Sequence, residues 1–154
     1  MAKSTFVYAT YIRTTPEKLW EALTAPEFAR QYWFGMHIET DWRPGSAWRL
    51  VFPDGRTADS GVVVEADAPR SLVLRWRNEW KPELKAEGES ICKMSLEPFE
   101  GAVKLTITHE IEHERSPLIE AVSGGWPRIL SNLKSLLETG RLAFTASKQF
   151  NAST

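Results

Sequence analysis

SPLIEAVSGGWPRILSNLKSLLETG, residues 116–140, is the stretch whose reading decides the fold. Leu118, Val122, Trp126, Ile129, Leu133 and Leu136 recur at steps of four, four, three, four and three residues, the one-face spacing of an amphipathic helix. Ile119, Leu130 and Leu137 widen the apolar stripe, while Glu120, Arg128, Ser131, Asn132, Lys134 and Glu138 fall on the other side. Such a helix is half solvated and needs a broad apolar surface to lie on. Ser116-Pro117 supplies an N-cap followed by proline at the first helical position, and Gly140 suits the residue just past the end. Inside the pattern, Gly124-Gly125-Trp126-Pro127 costs about 1 kcal/mol per glycine and about 3 for proline. A bend is expected there, and the missing side chains leave room beside a large indole.

The surface for this helix comes from the preceding chain. Phe6, Tyr8, Thr10 and Ile12 alternate with Val7, Ala9, Tyr11 and Arg13, giving a first strand. Thr15-Pro16-Glu17 and Ala25-Pro26-Glu27 then start two short helices, the second carrying Phe28, Tyr32 and Trp33 to Gly35. From Met36 onward short alternating runs are divided by turn signals at Pro44-Gly45, Pro53-Asp54-Gly55, Asp67-Ala68-Pro69 and Phe99-Glu100-Gly101. The runs cover 37–41, 47–52, 57–66, 71–77, 89–97 and 102–111, so the prediction is seven antiparallel strands. The polar segment Asn78 to Gly88 is expected to be a mobile connection at one rim.

Parity assigns the faces. Trp48, Leu50 and Phe52 share one; Leu72, Leu74 and Trp76, then Cys92, Met94 and Leu96, then Val103, Leu105, Ile107 and His109, do likewise. Arg49, Arg75, Arg77, Lys93, Lys104 and Thr106 take the opposite, wet face. A twisted antiparallel sheet of this size curls, and closing it with one long helix encloses volume. The expected cavity lining is Trp33, Trp48, Phe52, Trp76, Met94, Ile107, His109, Val122, Trp126 and Leu130.

The totals exclude several roles. At 154 residues a single domain spanning 1–154 is expected, with an ordered core over about 4–140 and a C-terminal tail over 141–154. A formal net charge of -1 provides no field for nucleic acid or anionic membrane, and no run approaches the length of a spanning helix, so neither nucleic-acid binding nor membrane insertion is expected. No secretory leader is legible, and the lone Cys92 suits a reducing compartment, so a cytoplasmic location is expected.

Catalytic motifs are scarce. His109-Glu110-Ile111-Glu112-His113 matches H-E-x-x-H, but it continues an alternating run, and on a strand positions four apart lie roughly 13 Å from each other. No metal and no cofactor are therefore expected. Cys92 reads as buried filler. Catalysis would have to rest on isolated groups such as His109, Glu110, Tyr32 or His37.

Five segments carry a family resemblance: TTPEKLWEALTAPEFARQYWFG (14–35), WRPGSAWRLVFPDG (42–55), GVVVEADAPRSLVL (61–74), LTITHE (105–110) and SGGWPRILSNLKSLLE (123–138). Together with the order strand, two helices, six strands, long helix, they resemble the activator-of-Hsp90-ATPase homologue branch of the START/Bet v 1-like superfamily. The resemblance implies an α+β helix-grip fold: a curved seven-stranded antiparallel sheet, two short helices after strand 1, and a C-terminal helix packed over the sheet. It also implies binding of a small hydrophobic or amphipathic molecule in the enclosed cavity. A cyclase- or aromatase-like enzyme and a co-chaperone-like module are the alternatives, and a homodimer is left open. The eukaryotic Hsp90 activators pair this domain with a further N-terminal one, whereas five residues precede the first strand here, so Hsp90 is not an expected partner.

Overall fold

The computed structural model describes residues 3–144. Strand β1 (Ser4–Ile12) is followed by helices α1 (Pro16–Thr24) and α2 (Pro26–Tyr32). Then come β2 (His37–Glu39), β3 (Ala47–Val51), β4 (Thr57–Asp67), β5 (Ser71–Asn78), the single-turn α3 (Pro82–Lys85), β6 (Ser90–Phe99), β7 (Ala102–Ile111) and the long α4 (Pro117–Thr139). The strands form one antiparallel sheet in the order β1-β7-β6-β5-β4-β3-β2, so β2 to β7 make a meander and β1 returns beside β7. This is the α+β architecture the alternation predicts, open at β1 and β2.

Local chemistry sets the helix ends. Thr15 Oγ1 accepts the Lys18 N–H at 3.2 Å, and Ser116 Oγ accepts the Ile119 N–H at 3.2 Å. At the far end of α4, Gly140 adopts φ 79°, a left-handed conformation that glycine takes at no steric cost, and its N–H reaches Leu136 O at 2.9 Å. The helix runs unbroken through Pro127.

Its apolar stripe lies on the sheet. Trp126, Ile129, Leu130 and Leu133 are buried, and the inward residues of β5, β6 and β7 join them in one core; Leu118, also buried, belongs to a smaller cluster at the start of the helix. Lys134 Nζ also donates to the Tyr11 carbonyl at 2.6 Å, and Glu138 accepts the Arg13 N–H at 2.8 Å, fastening the last turns of α4 to β1.

Two expectations need correction. Asn132, placed by periodicity on the solvated side of the helix, is buried: its amide donates to the Tyr32 and Phe144 carbonyls and its Oδ1 accepts the Phe144 N–H at 2.7 Å. Polar side chains can replace apolar ones in a stripe when every hydrogen-bonding atom finds backbone. The segment from Asn78 to Gly88 is a tethered strap rather than a loose connection. Asn78 Oδ1 accepts the backbone N–H groups of Trp80 and Lys81, and Leu84 is buried against Ile111, Leu118 and Ile119. Glu87 accepts the Leu118 N–H at 2.8 Å and also bonds Ser116 Oγ, so the strap caps α4. The expected tail, 141–154, lies mostly outside the described residues; of its first residues, Leu142 packs on the core. No helix among the described residues is long and apolar enough to cross a membrane.

Candidate functional site

Between α4 and the β3 to β5 side of the sheet lies a cavity of about 120 Å³. An apolar cavity of about 150 Å³ admits a benzene-sized molecule, so this somewhat smaller space is on the scale of a single ring at most and is far too small for a long lipid chain. Trp33 and Met36 wall it from α2 and the segment after it, Phe52 and Trp76 from the sheet, Trp80 and Leu84 from the strap. Helix α4 contributes Val122, Gly125 and Trp126. Gly125, beside Trp126, gives this wall backbone without a side chain.

Five of the ten expected lining residues meet here: Trp33, Phe52, Trp76, Val122 and Trp126. The rings are mutually packed, with Trp126 5.4 Å from Trp33 and 5.8 Å from Trp76. The other five pack elsewhere in the core. Met94 and Ile107 are cross-strand partners on β6 and β7, and Leu130 is buried beneath α4. Trp48 sits one step behind the wall, 4.7 Å from Trp76, and its indole N–H donates to the Arg75 carbonyl at 3.0 Å. That contact depends on Gly61. Trp48 and Trp76 are its partners on the two flanking strands, and the indoles meet over a residue with no side chain. A Cβ at Gly61 would overlap the Arg75 carbonyl oxygen and lie 2.9 Å from Trp48 Nε1.

His109, also expected in the lining, is fully buried behind Trp76 and Trp126. Its Nδ1 lies 3.3 Å from Trp126 Nε1, which is donor only, so Nδ1 must be the acceptor. The neutral ring then carries its proton on Nε2 and donates it to Ser90 Oγ at 2.8 Å, and Ser90 donates in turn to the Trp76 carbonyl at 3.1 Å. Burial drives the His109 pKa down to about 3, so the ring is neutral at any physiological pH. Although a serine and a histidine touch, every proton in this chain is committed. The chain orients Trp126; it does not activate Ser90.

A polar set that parity did not single out does face the cavity: Asp59, Lys81 and Arg128. Asp59, on β4, is 9% exposed. Burial raises its pKa to about 7; the Trp76 indole N–H, donating to the carboxylate, pulls down, and the nearby Glu79 pushes up. Glu79 is itself buried enough to be pushed upward, yet the Ser60 hydroxyl, Arg77 and Lys85 outweigh that and hold it at about 2. One acid is therefore ionised and satisfied, while its neighbour in the cavity wall exchanges a proton near neutrality. Lys81 and Arg128, half-buried, stand on the strap and on α4.

The other isolated candidates do not converge. The Tyr32 hydroxyl donates to the Ala22 carbonyl at 2.9 Å and locks α1 to α2, and burial raises its pKa. His37 pairs with Glu39 at 3.0 Å, and Glu110 faces Lys3 at 3.5 Å. The H-E-x-x-H match lies on β7 and the turn after it, with His109 buried and His113 exposed. Among the described residues no group of three or more His, Cys, Asp or Glu is placed to hold a metal. Cys92 is fully buried, which raises its pKa and suits its reading as filler.

Among solved structures, similar folds include the Aha1 dimer from Colwellia psychrerythraea, with a TM-score of 0.72, 20% identity and coverage of 89% of this chain and 98% of that one. CalU16 from Micromonospora echinospora has a TM-score of 0.70 at 20% identity, covering 88% of this chain and 77% of that one. An HSP90 activator from Plasmodium falciparum has a TM-score of 0.69 at 21% identity, covering 86% and 95%. These likenesses are likenesses of fold, the Bet v 1-like helix grip. No curated protein matches the sequence. The sequence profile of the Activator of Hsp90 ATPase homolog 1-like protein family matches residues 13–138, most of the chain, and the protein belongs to that family.

Proposed function

We propose that this protein binds a small amphipathic molecule in the cavity between sheet and α4, acting in the cytoplasm. The observation that carries the reading is the combination of a ring-sized space with four tryptophans around it and a buried carboxyl in its wall. Apolar walls with a few placed polar groups are the usual composition of a small-molecule site. A tightly filled core would have neither the space nor Asp59.

Native mass spectrometry of freshly purified protein is expected to show a co-purifying small molecule. Fluorobenzene, a ring-sized probe, should bind the wild type by 19F NMR. Gly125→Leu should stop both, because its side chain grows into the cavity while leucine favours the helix by about 0.8 kcal/mol over glycine. Equal fluorobenzene binding by wild type and variant would place the probe elsewhere and sink the reading.

A catalytic reading is second. Asp59, with its pKa near 7, has the property a general acid or base needs. No activated nucleophile accompanies it among the described residues, since Ser90 and His109 are saturated.

A further inference from the structure

Arg128 follows Trp126 by two positions on α4 and lines the same cavity. Its Nε is buried and has no hydrogen-bond partner among the described residues. A buried guanidinium donor without an acceptor is costly, and such a group is ordinarily satisfied by protein, water or ligand. Lys81 reaches the same wall from a different element, its Nζ 5.4 Å from the centre of the Trp80 ring. Both cations belong to half-buried residues, whereas Asp59 lies deeper.

Resting on the binding reading above, we propose that the occupant is a small carboxylic acid, its ring-sized apolar body among Trp33, Trp76 and Trp126 and its carboxylate held by Arg128 with Lys81. The chemistry selects this class over others. An amine would meet the Arg128 guanidinium. A neutral guest could accept from Arg128, but without the added strength of a charged acceptor. A dianionic phosphate would bring a second charge into a wall that already holds the Asp59 carboxyl, while the planar fork of an arginine matches the two coplanar oxygens of a carboxylate. Asp59, deeper in the wall, is placed to meet a second polar group on the body of the acid.

The test compares phenylacetate with phenylacetamide, which share a ring and differ in charge, by isothermal titration calorimetry on the full chain at pH 7.5. Phenylacetate should bind the wild type about tenfold more tightly, the factor expected for one charge-assisted hydrogen bond over a neutral one. Arg128→Gln should bring that ratio most of the way to one, with phenylacetate losing more affinity than phenylacetamide; Lys81→Met should lower it by a smaller factor. Phenylacetamide binding as tightly as phenylacetate, or a preference that survives Arg128→Gln undiminished, overturns the assignment of the acid and leaves the cavity reading standing. Saturable binding of neither compound overturns both. The wild-type ratio alone decides the matter if a variant fails to fold.

Discussion

His109 and Asp59 lie under the same helix on the same face of the sheet, and burial has moved their proton affinities in opposite directions, to about 3 and to about 7. Around His109 the protein is finished: Trp126 donates in, Ser90 accepts out, and the Trp76 carbonyl ends the chain. Around Asp59 it is open, with one indole donor on one side and a cavity on the other. The difference teaches that burial alone does not mark a functional group. A buried polar residue becomes available for chemistry where its partners run out next to space.

The most disruptive way to break this contrast is Gly61→Ala. Gly61 lies beneath the Trp48–Trp76 contact that separates the packed and open parts of the wall, and even a methyl would strike the Arg75 carbonyl. A loss of about 3 kcal/mol or more is expected, at the upper end for overpacking, read as a shift in urea midpoint. A loss under about 1 kcal/mol would mean that the strands can part to admit a side chain.

His109→Leu attacks the finished side. It strands the Trp126 N–H and should cost about 2 kcal/mol at pH 7, within the range for a buried donor left without its acceptor. Asp59→Asn attacks the open side and should be neutral or stabilising by about 1 kcal/mol at pH 8, because it removes a buried charge that the wild type must ionise there.

The finest test is pH. The folded chain keeps a proton on Asp59 that the unfolded chain, with an ordinary value of 3.8, releases, so this group lowers stability progressively from about pH 4 to about 7. The folded chain refuses His109 a proton that the unfolded chain accepts below 6.5, so this group's contribution is complete above that value and lost toward pH 3. Between about 4.5 and 6.5 the two slopes oppose each other, and the wild type should change little on their account. Asp59→Asn should then lose up to about 1.4 kcal/mol per pH unit on acidification over that range, and His109→Leu should gain. Parallel profiles for the two variants would show that the linkage is misassigned.

The same two residues show how far a sequence can be read. Alternation placed His109 correctly because β7 runs unbroken from Ala102 to Ile111 and every second side chain is buried. Asp59 escaped because β4 slips register on both sides of it, at Leu50/Val51 against β3 and at Val63/Glu65 against β5, so no clean alternation runs through the strand. Its phase with Val63 was the one available signal. Lys81, Leu84 and Trp80 were hidden for another reason: Asn78 to Gly88 looks polar by composition, and only the tertiary contacts of Leu84 and Glu87 turn it into a wall. The tryptophans on the helix and strands were legible because large apolar residues at helical or strand period have few places to go. Arg128 was read as solvated. Its Nε is buried, and the residue lines the cavity.

The fastening of α4 to β1 bears on what the edge of the sheet offers a second chain. Strand β1 is a nine-residue sheet edge, whereas the other edge, β2, has three residues. A long edge strand is a template on which a second chain can extend the ladder. Lys134 and Glu138, joined at 2.7 Å, place opposite charges on the Tyr11 carbonyl and the Arg13 N–H, so the end of that template is already occupied by side chains that an incoming strand cannot imitate. The guard is partly exposed and ionic, and screening weakens it as salt rises. Fraying of the last turns of α4 would therefore register first as intermolecular association, before the circular dichroism of the sheet changed at all.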